Sequence, residues 1–202
     1  YYDLFKSLEM TNKQWDEINN YSQSLGIELI LDVFGEKSLS TACKLNLKSI
    51  KIHGTDITNI RLLEKVSKSK INSIILGIGG ASWDEVKIAL EILKNKELIL
   101  LAGFQGYPTN ISDNLISRLK YLDKKSRLYH QNFNIGFAPH PDTRDLNSLV
   151  SLVAIGAGAR YLERHLTLGK VMKLEDYESA LNPDEFSTYV KQIKRGFKAF
   201  GK

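Results

Sequence analysis

Several features that mark other classes of protein are scarce in this sequence. It has one cysteine, Cys43, which excludes an internal disulfide, and only four prolines in 202 residues. Its longest apolar runs, such as residues 98–102, fall far short of the roughly 18 residues that a membrane-spanning helix needs. No leader of the secretory type opens the sequence. We therefore expect a cytoplasmic protein in a reducing compartment.

A strong excess of charge of one sign is also missing. The 28 lysines and arginines are offset by 23 acidic residues, which leaves a net charge of +5 spread along the chain. Lys191, Lys194, Arg195 and Lys198 follow an amphipathic pattern that is typical of a solvated helix face. We expect neither a nucleic-acid nor a membrane partner, whereas small anionic substrates fit the surplus of positive charge.

The sequence does contain a repeated alternation of short apolar segments and segments with helical periodicity. Apolar segments predict six strands, at residues 26–34, 48–53, 72–78, 98–105, 133–139 and 161–166. Helical periodicity predicts helices at residues 12–25, 37–46, 60–69, 82–95, 112–124, 144–156 and 183–199. Thr11, Ser82 and Asn182 are the predicted N-caps. This alternation predicts βα units with a parallel sheet in a single domain, residues 1–202.

The two faces of the predicted strands differ in polarity, which separates a barrel from an open sheet. An open parallel sheet is covered by helices on both faces, so that both faces are apolar. Here Lys51 and His53 share one face of their strand, while Ile50 and Ile52 share the other. Similar splits recur in the last two strands. We therefore predict a (β/α)8 TIM-type barrel with polar side chains inside it, at the strand ends where barrel active sites form.

Motifs that carry reactive side chains follow the predicted strands in order. They are Lys51-Ile52-His53-Gly54-Thr55-Asp56 followed by Asn59, Tyr107-Pro108-Thr109, Ala138-Pro139-His140, Glu163-Arg164-His165, and Asp176 ahead of Ala180-Leu181-Asn182-Pro183. In this order they resemble the sialic acid synthases, which condense phosphoenolpyruvate with an N-acetylated amino sugar on a (β/α)8 barrel. The resemblance covers nearly the whole chain. It implies a transferase that makes a sialic acid or a related nonulosonic acid, and a homodimer.

Two histidines are the candidate metal ligands. His140 and His165 would project from neighbouring strands toward the same mouth, an arrangement that suits a borderline divalent cation. The resemblance implies that both bind a metal, typically manganese, which would polarise the aldehyde of the sugar. The alternative for each residue is a hydrogen-bonded core histidine.

Lys51 is the candidate anion-binding residue. A lysine that points into a barrel interior is costly to bury unless an anion offsets its lost hydration. The resemblance implies that Lys51 binds phosphoenolpyruvate. The alternative is an ion pair with Asp32, Asp56 or Glu163.

The resemblance also implies roles for five further residues. It implies substrate binding by Gln105, Tyr107 and Asn59. It implies that Asp56 handles substrate hydroxyls or metal-linked proton transfer, and that Asp176 positions the water that adds to the intermediate. Judged by residue type alone, Asp56 is equally a turn residue, Tyr107 a packing residue and Asp176 a solvated carboxylate.

The sequence also departs from the family pattern. Asp32, Gly54 and Ala138 stand where better-known synthases have hydroxyls, and a carboxylate beside a phosphate would oppose its binding. The family's first two barrel strands and its small C-terminal domain are missing, so we expect a piece of a longer chain.

The stretch from Gly77 to Gly80 is either an anion-binding turn or a turn without a ligand. A non-catalytic barrel that binds a sugar or partner, and a different barrel lyase or aldolase, stay open as alternatives.

Overall fold

The computed structural model describes residues 2–141, 148–174 and 176–201 of the chain. Six parallel strands form one sheet in sequence order: β1 (Leu31–Asp32), β2 (Ser49–Ile52), β3 (Ser73–Gly77), β4 (Glu97–Ala102), β5 (Phe133–Phe137) and β6 (Tyr161–Leu162). The described helices are α1 (Tyr2–Ser7), α2 (Asn12–Ser24), α3 (Glu36–Lys44), α4 (Ile60–Lys68), α5 (Trp83–Ile92), α6 (Arg118–Ser126), α7 (Leu149–Gly156) and α8 (Pro183–Ala199). None of these helices combines the length and the apolar character needed to cross a membrane. The sheet curls into a half-barrel, which confirms the barrel-type α/β prediction.

The two faces of the sheet have the polarity that the strand pattern predicts. Ile50, Ile52 and Phe137 are buried in one apolar cluster with side chains of the surrounding helices. Lys51, between the two isoleucines, points into the interior of the half-barrel, where it meets Glu163 from the far end of the sheet. Polar groups are thus confined to the inner face, while the outer face supplies the apolar area whose burial stabilises the fold.

The predicted helix starts are confirmed in atomic detail. The backbone N–H of Glu85 donates to Ser82 Oγ at 3.4 Å, and the backbone N–H of Ser82 donates to Glu85 Oε2 at 2.7 Å. Thr11 makes the same reciprocal pair with the glutamine three residues later. At the start of α8, the backbone N–H of Asn182 donates to Glu185 Oε2 at 2.8 Å. These caps satisfy backbone groups that the first helical turn leaves unpaired.

The structure also differs from the sequence prediction in several elements. The outer strands β1 and β6 are two residues long, because each pairs along one side only and has no second ladder to extend it. Helix α6 begins at Arg118 instead of residue 112. Before it, Ile111–Asn114 forms a 3₁₀ turn and Leu115 takes a left-handed φ of 44°, which interrupts the helix. Helix α1 is not predicted from the sequence, and residues 144–147 of one predicted helix lie outside the described residues.

The loops that follow the middle strands meet through glycine backbone. A Cβ added at Gly54 would lie 2.8 Å from the carbonyl oxygen of Gly79, and one at Gly79 would lie 2.5 Å from that of Gly103. A Cβ at Gly103 would in turn lie 2.7 Å from the carbonyl oxygen of Ala138. We call Gly54, Gly79 and Gly103 the glycine collar. It lets four successive loops pack backbone to backbone at the carboxyl edge of the sheet.

Candidate active site

Polar side chains collect in a cavity of about 220 Å³ at the carboxyl edge of the sheet. Six of the eight predicted site residues line it: Lys51, Gln105, Tyr107, His140, His165 and Asp176. Larger cavities, of about 560 and 930 Å³, lie between α5 and α6 and at the opposite edge of the sheet. A further cavity of about 270 Å³ lies beside α6. None of these three is lined by a histidine, so the cavity of about 220 Å³ is the candidate active site.

Lys51 is bound by two carboxylates. Its Nζ lies 3.2 Å from Asp32 Oδ2 and 3.0 Å from each oxygen of Glu163. The contact with Glu163 crosses the interior of the half-barrel and joins residues that are 112 positions apart in the chain. Two of the three ion pairs considered for Lys51 are therefore formed, while Asp56 accepts a hydrogen bond from Asn59 at 3.3 Å.

Burial and charge shift the proton affinities of this group. Burial lowers the pKa of Lys51, but attraction by Glu163 and then by Asp32 outweighs burial and raises the pKa overall. Burial raises the pKa of Asp32, and Lys51 opposes that rise. Asp32 Oδ1 is buried and makes no hydrogen bond within the described part of the chain. Lys51 is thus a cation whose charge is already compensated inside the protein.

His140, Glu163 and His165 form a cluster beside this lysine. One potential ligand atom from each residue lies within 4.8 Å of the others, and the two imidazole centroids are 5.2 Å apart. His140 is buried, and its Nδ1 has no hydrogen-bond partner among the described residues. Burial, and next the proximity of His165, lower the pKa of His140 to about 4. A neutral imidazole with an unused nitrogen, a second imidazole and a carboxylate make a donor set that fits a borderline divalent cation.

The surrounding side chains fix the orientation of both imidazoles. His165 Nδ1 lies 3.3 Å from Asp176 Oδ2, a contact that orients the ring and favours ligation through its other nitrogen. The Tyr107 ring packs 4.5 Å from the His140 ring and 6.0 Å from the His165 ring, between centroids. The Tyr107 hydroxyl donates to Gln105 Oε1 at 3.4 Å. Burial, and next Asp176, raise the pKa of Tyr107, so the phenol keeps its proton at neutral pH.

Two predicted site residues lie beside the cavity instead of lining it. Asn59 is the N-cap of α4, where its side chain accepts a hydrogen bond from the backbone N–H of Leu62 at 3.2 Å. Asp56 ends the 3₁₀ turn Gly54–Asp56 and is half-buried. Substrate binding by Asn59 and catalysis by Asp56 stay predictions.

Glu163 lies in the cluster with the two histidines, although its sequence motif does not predict this position. The motif Glu163-Arg164-His165 suggests it as an ion-pair partner for Lys51, but does not assign it to the metal site. A signal was present, because residues two apart on a strand point to the same side. Glu163 and His165 are so spaced, and the structure places both in the same cavity.

The ion pairs of Lys51 with Asp32 and Glu163 lead to a prediction for the variant Lys51→Met. Removing the lysine leaves Asp32 and Glu163 without their cation, and we expect a loss of about 2 kcal/mol in the free energy of unfolding. Urea denaturation of the metal-free protein measures this loss. The double variant Lys51→Met/Glu163→Gln removes one of the two charges as well, so it is expected to recover a large part of the stability. A double variant no more stable than Lys51→Met would contradict this explanation.

Comparison with known proteins assigns the chain to a family. The sequence profile of the NeuB family matches it over residues 1–202. The chain belongs to the NeuB family. This result confirms the resemblance predicted from the ordered motifs.

Curated relatives of this NeuB chain include named synthases. An uncharacterised protein of Methanocaldococcus jannaschii is 32% identical in an alignment of 204 positions, which covers 100% of this chain and 58% of the relative. The N-acetylneuraminate-9-phosphate synthase of Mus musculus is 27% identical, over 97% of this chain and 53% of the enzyme. The N,N'-diacetyllegionaminic acid synthase of Legionella pneumophila is 26% identical, over 96% and 53%. The chain thus spans about half the length of the curated relatives it matches.

Solved structures support the barrel-type fold of this NeuB chain. The N-acetylneuraminic acid synthetase of Leptospira borgpetersenii, crystallised with citrate, matches with a TM-score of 0.88 and 28% identity. The match covers 99% of this chain and 67% of the synthetase. A truncated 3-deoxy-D-arabino-heptulosonate 7-phosphate synthase of Thermotoga maritima matches with a TM-score of 0.79 at 20% identity, over 96% of this chain and 74% of that one. At that identity the second match shows the fold alone.

Proposed function

We propose that this chain carries the metal-binding and anion-binding part of a cytoplasmic synthase. The enzyme would condense phosphoenolpyruvate with an N-acetylated amino sugar to form a sialic acid or a related nonulosonic acid. The observation that carries the proposal is the cluster of His140, Glu163 and His165 beside Lys51 in one cavity. The names of the relatives, synthases of N-acetylneuraminate 9-phosphate and diacetyllegionaminic acid, support the class of product.

The proposed cofactor is a divalent cation, Mn²⁺ by preference, held by His140, Glu163 and His165. When bound, such a cation supplies Lewis-acid polarisation of the sugar aldehyde. The chain's own residues prepare its site. His140 stays neutral at neutral pH, and Asp176 orients His165 through the 3.3 Å contact. Tyr107 contacts both rings, at 4.5 Å from the His140 ring and 6.0 Å from the His165 ring between centroids.

The proposed substrate contacts lie around this cluster. Lys51 would bind phosphoenolpyruvate through its ammonium group, which donates up to three hydrogen bonds. Gln105, Tyr107 and Asn59 would contact the substrates with amide and phenol groups. In the proposed reaction the methylene carbon of phosphoenolpyruvate would form the new bond to the aldehyde carbon, whose oxygen takes a proton. Water would then add to the carbon that bears the phosphate, and phosphate would leave from this adduct to give the keto acid. We assign the positioning of that water to Asp176.

Asp56 is the second proposed catalytic carboxylate. It sits on the 3₁₀ turn directly after the strand that carries Lys51, half-buried and next to the cavity lining. From there a carboxylate can accept a proton from a substrate hydroxyl. Asp56→Asn is expected to lower kcat more than it changes KM.

Release of inorganic phosphate from phosphoenolpyruvate tests the proposed function. The intact protein is assayed with Mn²⁺ and a panel of N-acetylated amino sugars, and release is expected to need both the metal and a sugar. Omitting the protein, the metal and the sugar in turn measures the background of phosphate released without the complete reaction. No phosphate release with any sugar of the panel would overturn the proposal.

A second candidate is a non-catalytic barrel that binds a sugar. The observation in its favour is that Asp32 and Glu163 both pair with Lys51, so that the charge of this lysine is already compensated. Sugar binding that needs no metal and survives His140→Ala would favour this candidate over the synthase.

We also propose that the protein acts as a homodimer. The edge strands β1 and β6 each pair on one side only in the described sheet, and unpaired edges are usually covered by another element or chain. Sedimentation equilibrium tests this part of the proposal, and a monomer at micromolar concentration would contradict it.

A further inference from the structure

The charges around Lys51 oppose an incoming anion in the cation-free protein. Asp32 and Glu163 bring two negative charges to one positive charge, and the nearby Asp176 adds a third carboxylate to the cavity. The side chains of Lys51, Asp32 and Glu163 are only 17%, 31% and 29% exposed, so solvent screens these charges weakly. Lys51, Asp32 and Glu163 together thus carry one net negative charge, which a doubly charged anion would meet at the lysine expected to bind it.

Glu163 takes part both in the ion pair with Lys51 and in the cluster with His140 and His165. Both of its oxygens lie 3.0 Å from Lys51 Nζ, and one of its oxygens also lies within 4.8 Å of ligand atoms of His140 and His165. A carboxylate that gives lone pairs to a divalent cation has fewer left for an ammonium group. Cation binding at the cluster would thus weaken the bond between Glu163 and Lys51 and bring two positive charges into the cavity.

Asp32 differs from Glu163 because it contacts Lys51 without belonging to the histidine cluster. Asp32 and Lys51 are partners in the β1–β2 register, and the backbone N–H of Val33 donates to the Lys51 carbonyl at 2.8 Å. Within the described residues, no hydrogen-bond donor binds Asp32 Oδ1, so its charge acts mainly on Lys51. Asp32 therefore stays beside the lysine whether or not Glu163 is engaged elsewhere.

We propose that Asp32 makes anion binding at Lys51 conditional on a divalent cation at His140, Glu163 and His165. Without the cation, Asp32 and Glu163 together compensate Lys51 and exclude a doubly charged anion. With the cation bound, Asp32 alone faces Lys51 and the cavity gains enough positive charge to accept the anion. Asp32 is a positioning residue, since it acts through Lys51. The inference rests on the proposed function for the cation site only.

Sulfate is the probe, because it carries two charges at neutral pH and leaves Mn²⁺ in solution. Equilibrium dialysis with labelled sulfate compares the protein and Asp32→Asn, each with and without Mn²⁺. In the unchanged protein, Mn²⁺ is expected to tighten sulfate binding about tenfold or more. In Asp32→Asn, sulfate is expected to bind about tenfold more tightly than in the unchanged protein even without Mn²⁺, and to gain less when Mn²⁺ is added.

Two further variants test whether the effect comes from the position of Asp32, from the change in net charge or from loss of the cation site. Asp16→Asn removes an exposed carboxylate on α2 and changes the net charge equally, so sulfate binding should match that of the unchanged protein. Glu163→Gln is expected to lose Mn²⁺ binding in calorimetry, whereas Asp32→Asn keeps it. Equal sulfate affinity of Asp32→Asn and the unchanged protein without Mn²⁺ would overturn the inference, as would loss of Mn²⁺ binding in Asp32→Asn. A protein that binds no Mn²⁺ at all would instead overturn the proposed cation site, and the Mn²⁺-free comparison would still measure the effect of Asp32 on Lys51.

Discussion

Removing either imidazole of the cluster, by His140→Ala or His165→Ala, is expected to weaken Mn²⁺ binding about 100-fold or more. Each substitution deletes one of the three proposed side-chain ligands, and no other histidine belongs to the cluster in the described part of the chain. Burial lowers the pKa of His140 to about 4, so cation binding at neutral pH would release no proton from that ring. Isothermal titration calorimetry with MnCl₂ on the metal-free protein measures the affinity.

His53→Asn is the matched control for this experiment. His53 also lines the cavity, but its Nδ1 bonds with the Thr55 hydroxyl at 2.9 Å and it is not part of the cluster. An asparagine can replace this local hydrogen bond, so Mn²⁺ affinity is expected to stay near that of the unchanged protein. Equal affinity in the unchanged protein, His140→Ala and His165→Ala would place the cation elsewhere and refute the two-histidine site.

Gly79→Ala is expected to destabilise the protein by about 3 kcal/mol, because the collar has no room for a side chain. The new Cβ would lie 2.5 Å from the carbonyl oxygen of Gly103 and 2.7 Å from Gln105 Nε2. The glutamine can move, but the carbonyl belongs to the backbone of the neighbouring loop, so the two loops must separate. Urea denaturation followed by circular dichroism measures the change in the free energy of unfolding.

Gly156→Ala tests whether the effect comes from the collar or from losing any glycine. Gly156 is the last residue of α7, and a Cβ added there would meet nothing within 4 Å. Alanine favours a helix over glycine by up to about 1 kcal/mol, so this variant is expected to be as stable as the unchanged protein or slightly more stable. A Gly79→Ala variant of unchanged stability would show that the loops can separate without cost.

Those parts of the fold that a local sequence pattern determines could be predicted from the sequence. Alternation of polar and apolar residues, as at Ile50, Lys51 and Ile52, depends only on strand period, and the predicted faces of β2 and β5 match the structure. The first and last residues of strands and helices were harder to predict, because they depend on residues that are close in space but distant in the sequence. The length of β1 depends on pairing with one strand only, and the start of α6 depends on the left-handed conformation of Leu115.

Part of the candidate site could also be predicted from the local alternation of residues along the strands. The parity of residues at strand ends brought Lys51, His140 and His165 together correctly, since strands of one parallel sheet end at the same edge. The choice between anion binding and an ion pair at Lys51 was not accessible, because it depends on a distance across the half-barrel to Glu163. Sequence spacing carries no information about that distance.

The salt bridge between Lys51 and Glu163 also has a consequence for how the protein folds. It joins the second strand to the end of the sixth, so it forms only after all the intervening strands have paired in order. Such a long-range contact is expected late in folding, after helices and neighbouring strands have formed. Only molecules in which all six strands have paired would then bind a ligand in this cavity. A chain with native helix content but a misaligned strand would look folded by circular dichroism, yet would have no assembled site.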